Sequence, residues 1–199
     1  MPEEPEATTP KPTAEQAAAA PAAAAAKPAP KPAPIAWECE MIEQLRSEFG
    51  ETLQQSLSYL GQNYMVVDRA VCHQMLSALQ QRFGFNFLTD LTAVHYPKDE
   101  LSFEMVWMLY SLDRNERVRV KARFADGEEV PTATDLWTGA NWLEREVFDM
   151  FGIRFAGHPD LRRILLPDEW TGHPLRKDYA LQQQDSAWVQ KNLGIESGR

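Results

Sequence analysis

At 199 residues and 22.6 kDa, with 44% hydrophobic and 25% charged residues, the chain is long enough to bury a core without disulfide staples and too short for a large multidomain enzyme. Its formal net charge of −9 is opposite in sign to that expected of a nucleic-acid-binding protein. Cys39 and Cys72 have neither a CxxC partner nor a histidine at ligand spacing, which argues against a self-contained zinc or iron–sulfur site.

Residues 1–36 hold 14 Ala and 9 Pro, no aromatic residue and a single Ile, so this tail cannot bury a core and is expected to be disordered. Its acidic first residues carry neither the basic start nor the apolar run of a secretory signal, nor the arginines of a mitochondrial presequence, so a cytosolic start is expected. No later stretch approaches the apolar length of a membrane span, so any membrane role is expected to run through a partner. All aromatic residues follow the tail, and the packed domain is expected over 37–151.

Residues 38–60 carry Met41, Ile42, Leu45, Phe49, Leu53, Leu57 and Leu60 mostly three or four apart, which predicts one or two helices interrupted at Gly50. Residues 63–68 read as a short strand. Asp68 then caps a helix carrying Val71, Met75, Leu76, Leu79 and Phe83 and stopping at Gly84. Three strands are predicted over 85–96, 101–112 and 117–124, with connections short enough for antiparallel neighbours. The last alternates strictly, setting Val118, Val120, Ala122 and Phe124 against Arg117, Arg119, Lys121 and Arg123. Such a cationic row is either a solvated sheet face or a docking surface for an acidic partner. A freestanding module binding an anionic ligand or RNA is a further reading of it, weakened by the absence of interleaved aromatic residues.

Residues 131–134 introduce a helix predicted from Asp135 to about Phe151. Leu136, Ala140, Leu143, Val147, Met150 and Phe151 form its core stripe. Trp142, Arg145, Glu146 and Asp149 share the far side and Glu144 lies beside Trp137 and Phe148, which calls for a second packing surface, either another layer of the fold or a partner protein. The Arg145 to Asp149 spacing predicts a helical ion pair. From 152 onward periodicity ends, and residues 152–199 are expected to form an extended arm lying along a surface, here that of another chain. Within the arm GHPDLRR (157–163) is echoed by GHPLRKD (172–178), each a Gly turn followed by a His held extended by Pro. His158 and His173 lack a second ligand at helical or hairpin spacing, so each is expected to fix its turn by a hydrogen bond rather than to hold a metal or serve a hydrolase. No GxGxxG, Walker loop, GxSxG or HExxH occurs, so no catalytic, cofactor-binding or metal residue is assigned.

The run EREVFDMFGI (144–153) followed by GHPDLRRIL (157–165) resembles the signature of the C subunit of proton-pumping NADH-quinone oxidoreductase, the thirty-kilodalton subunit family of respiratory complex I. TDLWTGANW (134–142), PDEWTGHPLRKDY (167–179) and DLTAVHYP (90–97) are similar to further motifs of that family, except that His95 stands where an acidic residue is expected. The resemblance implies a non-catalytic subunit of the hydrophilic arm that braces the quinone-reducing module. The D subunit and neighbouring iron–sulfur subunits would be its partners, with FMN, iron–sulfur clusters and quinone held in other chains. It further implies peripheral attachment to the cytoplasmic side of the bacterial inner membrane and no nucleic acid. The related subunit of membrane-bound hydrogenases or ferredoxin-linked complexes stays open.

The fold expected is α+β, a small mostly antiparallel sheet with helices packed on one side and an extended C-terminal arm. The partner interface is expected to use Trp142, Glu144, Arg145, Glu146, Asp149, His158, Asp160, Arg162, Arg163, His173, Arg176, Lys177 and Asp178. If Arg162, Arg163, Arg176 and Lys177 meet carboxylates of the partner, charge reversal there would abolish assembly and leave the domain folded.

Overall fold

The computed structural model describes residues 32–179 and 186–194, so most of the expected disordered tail and parts of the far C-terminus lie outside the described residues. The elements are β1 (Ile35–Ala36), α1 (Glu40–Phe49), β2 (Leu53–Tyr59), β3 (Gln62–Val67), α2 (Cys72–Phe83), β4 (Phe87–His95), β5 (Phe103–Ser111), β6 (Glu116–Phe124), β7 (Val130–Pro131), α3 (Ala140–Phe151), β8 (Phe155–Ala156) and α4 (Ser186–Leu193). Six strands form one sheet in the order β1-β2-β3-β6-β5-β4, and β7 pairs with β8 in a small second sheet. All neighbours in the large sheet are antiparallel except β3 and β6, which the α2–β4–β5 excursion brings side by side in parallel. The architecture is therefore α+β, as expected.

One apolar core joins α1 (Met41, Ile42, Leu45), α2 (Met75, Leu76, Leu79) and α3 (Val147, Met150, Phe151) to inward-facing Met65, Met105, Trp107, Leu109, Val118 and Val120 of the sheet. Asp68 caps the short 3₁₀ turn at Arg69–Val71 that leads into α2, accepting from the Ala70 N–H at 2.9 Å, and Gly84 ends that helix in the left-handed region. Cys72 is buried at the start of α2, and burial pushes its thiol up to about 12, so it stays protonated and inert.

Two expectations about local structure are corrected. Residues 53–59 are a strand rather than a second helix. Gly50, at φ +55°, ends α1, and the register with β3 slips between Leu53 and Gln55, so buried Leu53 and Ser56 stand three residues apart in a strand. The helical spacing of Leu53, Leu57 and Leu60 is incidental, since Leu57 is half-buried and Leu60 is exposed in the turn that follows. Pairing also starts two residues before Trp37, where Ile35 and Ala36 add to the edge of β2.

Candidate functional site: the junction of α3 and the arm

Helix α3 begins at Ala140, five residues later than predicted, because the preceding segment folds back over it. Glu144 is fully buried and accepts from the Ala133 N–H and the Thr132 hydroxyl, each at 2.6 Å, which ties residues 132–134 to the second turn of the helix. Burial outweighs both donors and pushes the Glu144 carboxyl up to about 7, with nearby Asp135 adding to the rise and His73 opposing it.

The folded chain therefore holds a proton on Glu144 that the unfolded chain, at the ordinary value of 4.5, releases. Stability from this group is fully present below 4.5 and is lost as pH rises through about 7, at up to about 1.4 kcal/mol per pH unit. Glu144→Gln, which stays neutral, is expected to flatten that decline. Thermal melts of both proteins between pH 5 and 8 check it, and parallel profiles would remove Glu144 as the cause.

The far side of α3 receives the arm. Asp149 is fully buried; one carboxylate oxygen accepts from Arg163 at 2.5 Å, and the other accepts from the backbone N–H groups of Ile164, Leu165 and Leu166 at 3.1, 2.8 and 2.8 Å. Burial alone would raise its pKa, but the Leu166 N–H, Arg163 and the other two N–H groups outweigh it and hold the carboxyl below its ordinary value. Arg145 does not pair with Asp149 as predicted. Its guanidinium donates to the carbonyls of Arg162 and Arg163 at 3.1 and 2.9 Å and packs against the Trp142 ring. The two side chains are drawn to opposite ends of the same arm turn, where each satisfies backbone groups that no regular element could serve.

The GHP repeat now acquires a physical sense. His158 accepts the Asp160 N–H on Nδ1 at 3.0 Å, which leaves Nε2–H to donate to the Asn141 carbonyl at 3.2 Å. His173 donates from Nδ1 to the Asp149 carbonyl at 2.9 Å. Both imidazoles thus peg the arm to backbone carbonyls of α3, eight residues or about 12 Å apart along its axis. The Leu175 N–H serves the Met150 carbonyl, so the arm satisfies acceptors that the helix terminus leaves without intrahelical partners. His158 fixes its turn as expected, whereas His173 serves the helix end instead of its own turn.

The arm's turn at 176–178 is fixed by a residue whose role is not readable from sequence. His95, buried at the end of β4 and stacked on Phe103 at 4.7 Å, accepts the Lys177 N–H on Nδ1 at 3.0 Å. Beside it Arg176 bridges Asp126 at 2.6 Å and Asp178 at 3.2 Å, and lies over the Phe103 ring. Both carboxyls are held below the usual range by that guanidinium.

The expectation that Arg162, Arg163, Arg176 and Lys177 meet a partner's carboxylates is narrowed to exposed Arg162 and Lys177. Arg163 and Arg176 are satisfied within the chain, and exposed Arg162 pairs with Asp160 at 2.9 Å. An Arg176→Glu change would test the fold before it tested assembly. Of the interface residues read from sequence, Glu144, Arg145, Asp149, Arg163, His173 and Arg176 are struts of the junction, while Trp142, Glu146, Asp160, Arg162, Lys177 and Asp178 stand exposed on its outside. Leu165 and Leu175, exposed apolar residues of the arm, carry no sequence signal because nothing periodic marks them. No helix among the described residues is long and apolar enough to cross a membrane, and no three His, Cys, Asp or Glu side chains among them converge as metal ligands.

An α+β domain whose last core helix is wrapped by a pinned, irregular arm is the class of structure these contacts define. Residues 65–185 match the family described as respiratory-chain NADH dehydrogenase, 30 Kd subunit. The chain belongs to that family. It is 41% identical over 143 residues to the NADH-quinone oxidoreductase C subunit of Geotalea uraniireducens, covering 71% of this chain and 87% of that one. It is also 49% identical over 125 residues to a protein of Acidiphilium cryptum named as an NADH-quinone oxidoreductase C/D subunit, covering 57% of this chain and 21% of the other. In fold it is similar to a chain of the membrane-bound sulfane sulfur reductase, an archaeal respiratory membrane complex, with a TM-score of 0.64 and 24% identity over 78% of this chain and 91% of that one.

Proposed function

We propose that this chain is a non-catalytic subunit of the hydrophilic arm of NADH-quinone oxidoreductase, where it docks on the D subunit and braces the quinone-reducing module. FMN, the iron–sulfur clusters and quinone belong to other chains, and attachment to the cytoplasmic side of the bacterial inner membrane is indirect. The observation that carries the reading is the α3–arm junction. Of the family-signature charges, Arg145, Asp149 and Arg163 are taken up in fixing the shape of the arm and Glu144 in fixing residues 132–134, and outside them stand apolar residues with no cover. Trp142 is 63% exposed beside Arg145, and Leu165 is 62% exposed on the arm turn that Asp149 holds. An exposed aromatic and an exposed aliphatic residue on one junction, together with exposed Glu146, Asp160 and Arg162, supply the composition of a docking face, apolar anchors with charged neighbours. The relative that carries C and D in one name supports the D subunit as the neighbour, since two partners that act side by side tolerate being joined.

The test is purification of the tagged full chain from detergent-solubilised membranes of its host. The D subunit is expected to accompany it, together with flavin- and iron–sulfur-bearing chains. Trp142→Asp combined with Leu165→Asp is expected to reduce the recovered D subunit at least about tenfold while lowering the unfolding free energy by less than about 1 kcal/mol. Undiminished recovery would remove this face as the dock. Nickel-binding chains in place of NADH-binding ones would assign the chain to a hydrogenase-like complex, and recovery of the chain alone would overturn the reading.

A further inference from the structure

The outer face of the large sheet, opposite the helices and independent of the docking face proposed above, carries the cationic row of β6. One end of that row is neutralised within the chain. Lys121 meets Glu104 at 2.9 Å, and Arg123 meets Asp99 at 2.7 Å and Glu104 at 3.6 Å. At the other end Arg117 and Arg119 have no carboxylate within ion-pair distance among the described residues. Arg117 lies over the Tyr110 ring, and Arg119 donates to the Gln62 side-chain oxygen, a neutral partner. On a chain of net charge −9 these two guanidiniums are a local reversal of sign.

They also line a groove. A depression of about 470 Å³ crosses four strands here, bounded by Gln62 and Asn63 on β3, Met108 on β5 and Thr89 on β4. Its shape comes from two devices in the backbone. The β4–β5 register slips between Leu88 and Asp90, which takes Thr89 out of the ladder, and the β2–β3 turn passes through Leu60 and Gly61, both at positive φ. Glu116 lines the groove too, but it falls on the inward parity of β6 with Val118 and Val120, so the outward row is purely cationic.

We infer that this groove is a binding site for an acidic segment of a partner protein, in extended conformation, with carboxylates on alternate residues. Arg117 and Arg119 are two residues apart on one strand, hence about 6.7 Å apart at the backbone, and alternate side chains of an extended peptide repeat at the same interval. Each carboxylate would meet one guanidinium, and the side-chain NH₂ groups of Gln62 and Asn115, whose oxygens already accept from Arg119 and Tyr110, can serve carbonyls of the peptide. A nucleic-acid strand fits the face less well. The cationic track ends after two residues because Lys121 and Arg123 are already paired, and the Tyr110 ring is covered by Arg117, which leaves only exposed Phe87, across from Tyr110 on β4, as a ring beside the groove.

The test is fluorescence anisotropy on the full-length chain with a labelled peptide of alternating Thr and Glu, its Thr and Gln counterpart, and a single-stranded oligo-dT. The Glu peptide is expected to bind at least about tenfold more tightly than the Gln peptide, with affinity falling as salt is raised. Arg117→Gln with Arg119→Gln is expected to remove that tenfold advantage, whereas Arg117→Lys with Arg119→Lys, which keeps the charge, retains most of it; thermal melts confirm that both variants are folded. Equal binding of the two peptides, binding that survives the Gln variant, or tighter binding of oligo-dT would each overturn the inference.

Discussion

Asp149→Ala is expected to destabilise the chain by about 3–5 kcal/mol, since it leaves the Arg163 guanidinium without its carboxylate and strips the acceptor from three consecutive backbone N–H groups. A buried carboxylate this well surrounded by donors cannot be replaced by water from outside, because its side chain is fully buried. The loss would be concentrated in the arm. Arg162, Arg163, Arg176 and Lys177 offer cleavage sites to trypsin, and in the variant the 162–166 turn is expected to be cut well before the sheet unfolds. Asp149→Asn should recover less than half of the stability, for it keeps one acceptor oxygen and turns an NH₂ toward donors. The same site sets an acid limit. With its folded pKa held below the ordinary 3.8, Asp149 contributes stability that is fully present above 3.8 and is lost as pH falls through the lower folded value. Urea unfolding near pH 7 and limited trypsin digestion measure the two effects. An unchanged midpoint with an uncut arm would mean that the carboxylate is not what holds it.

How far this site is legible in the sequence follows from which of its bonds are local. The alternation of β6 and the Gly84 stop of α2 depend on neighbours within a few residues and appear in the structure as read, while Asp68 caps the 3₁₀ turn before α2 rather than α2 itself. The Arg145 to Asp149 pair fails for the opposite reason. Spacing along a helix says only which side chains can meet, and here both are drawn away by the carbonyls and N–H groups of an arm 14 to 18 residues further on. A segment without periodicity hides its own bonding needs, and those needs decide what Asp149 does. His95 is visible as a departure from the expected acidic residue, yet its task, accepting an N–H 82 residues away, belongs wholly to tertiary structure. Likewise the strand at 53–59 reads as helix because Leu53, Leu57 and Leu60 are spaced four and three apart, although of these only Leu53 is buried and the inward Ser56 is polar.

Gly152 is the point where helix, arm and signature motif meet, and it carries the second large effect. It ends α3 at φ +79°, where its N–H still reaches the Phe148 carbonyl, and a Cβ there would stand 2.7 Å from Cδ2 and Nε2 of His173. Gly152→Ala therefore meets two separate penalties. The left-handed backbone costs any residue with a Cβ about 1–2 kcal/mol. The clash adds to this, because the imidazole is fixed by its bond to the Asp149 carbonyl and cannot turn aside without releasing that peg. A total of about 2–4 kcal/mol is expected. The two parts are separable. His173→Ala alone removes the peg but leaves the glycine unstrained, and in the double variant the clash has no ring to meet, so the combined loss should fall short of the sum by about 1 kcal/mol or more. Urea unfolding of the four proteins closes the cycle. Additivity within about 0.3 kcal/mol would show that backbone strain alone explains the glycine; a shortfall would show that this position is glycine so that the second GHP turn can dock its histidine on the end of α3.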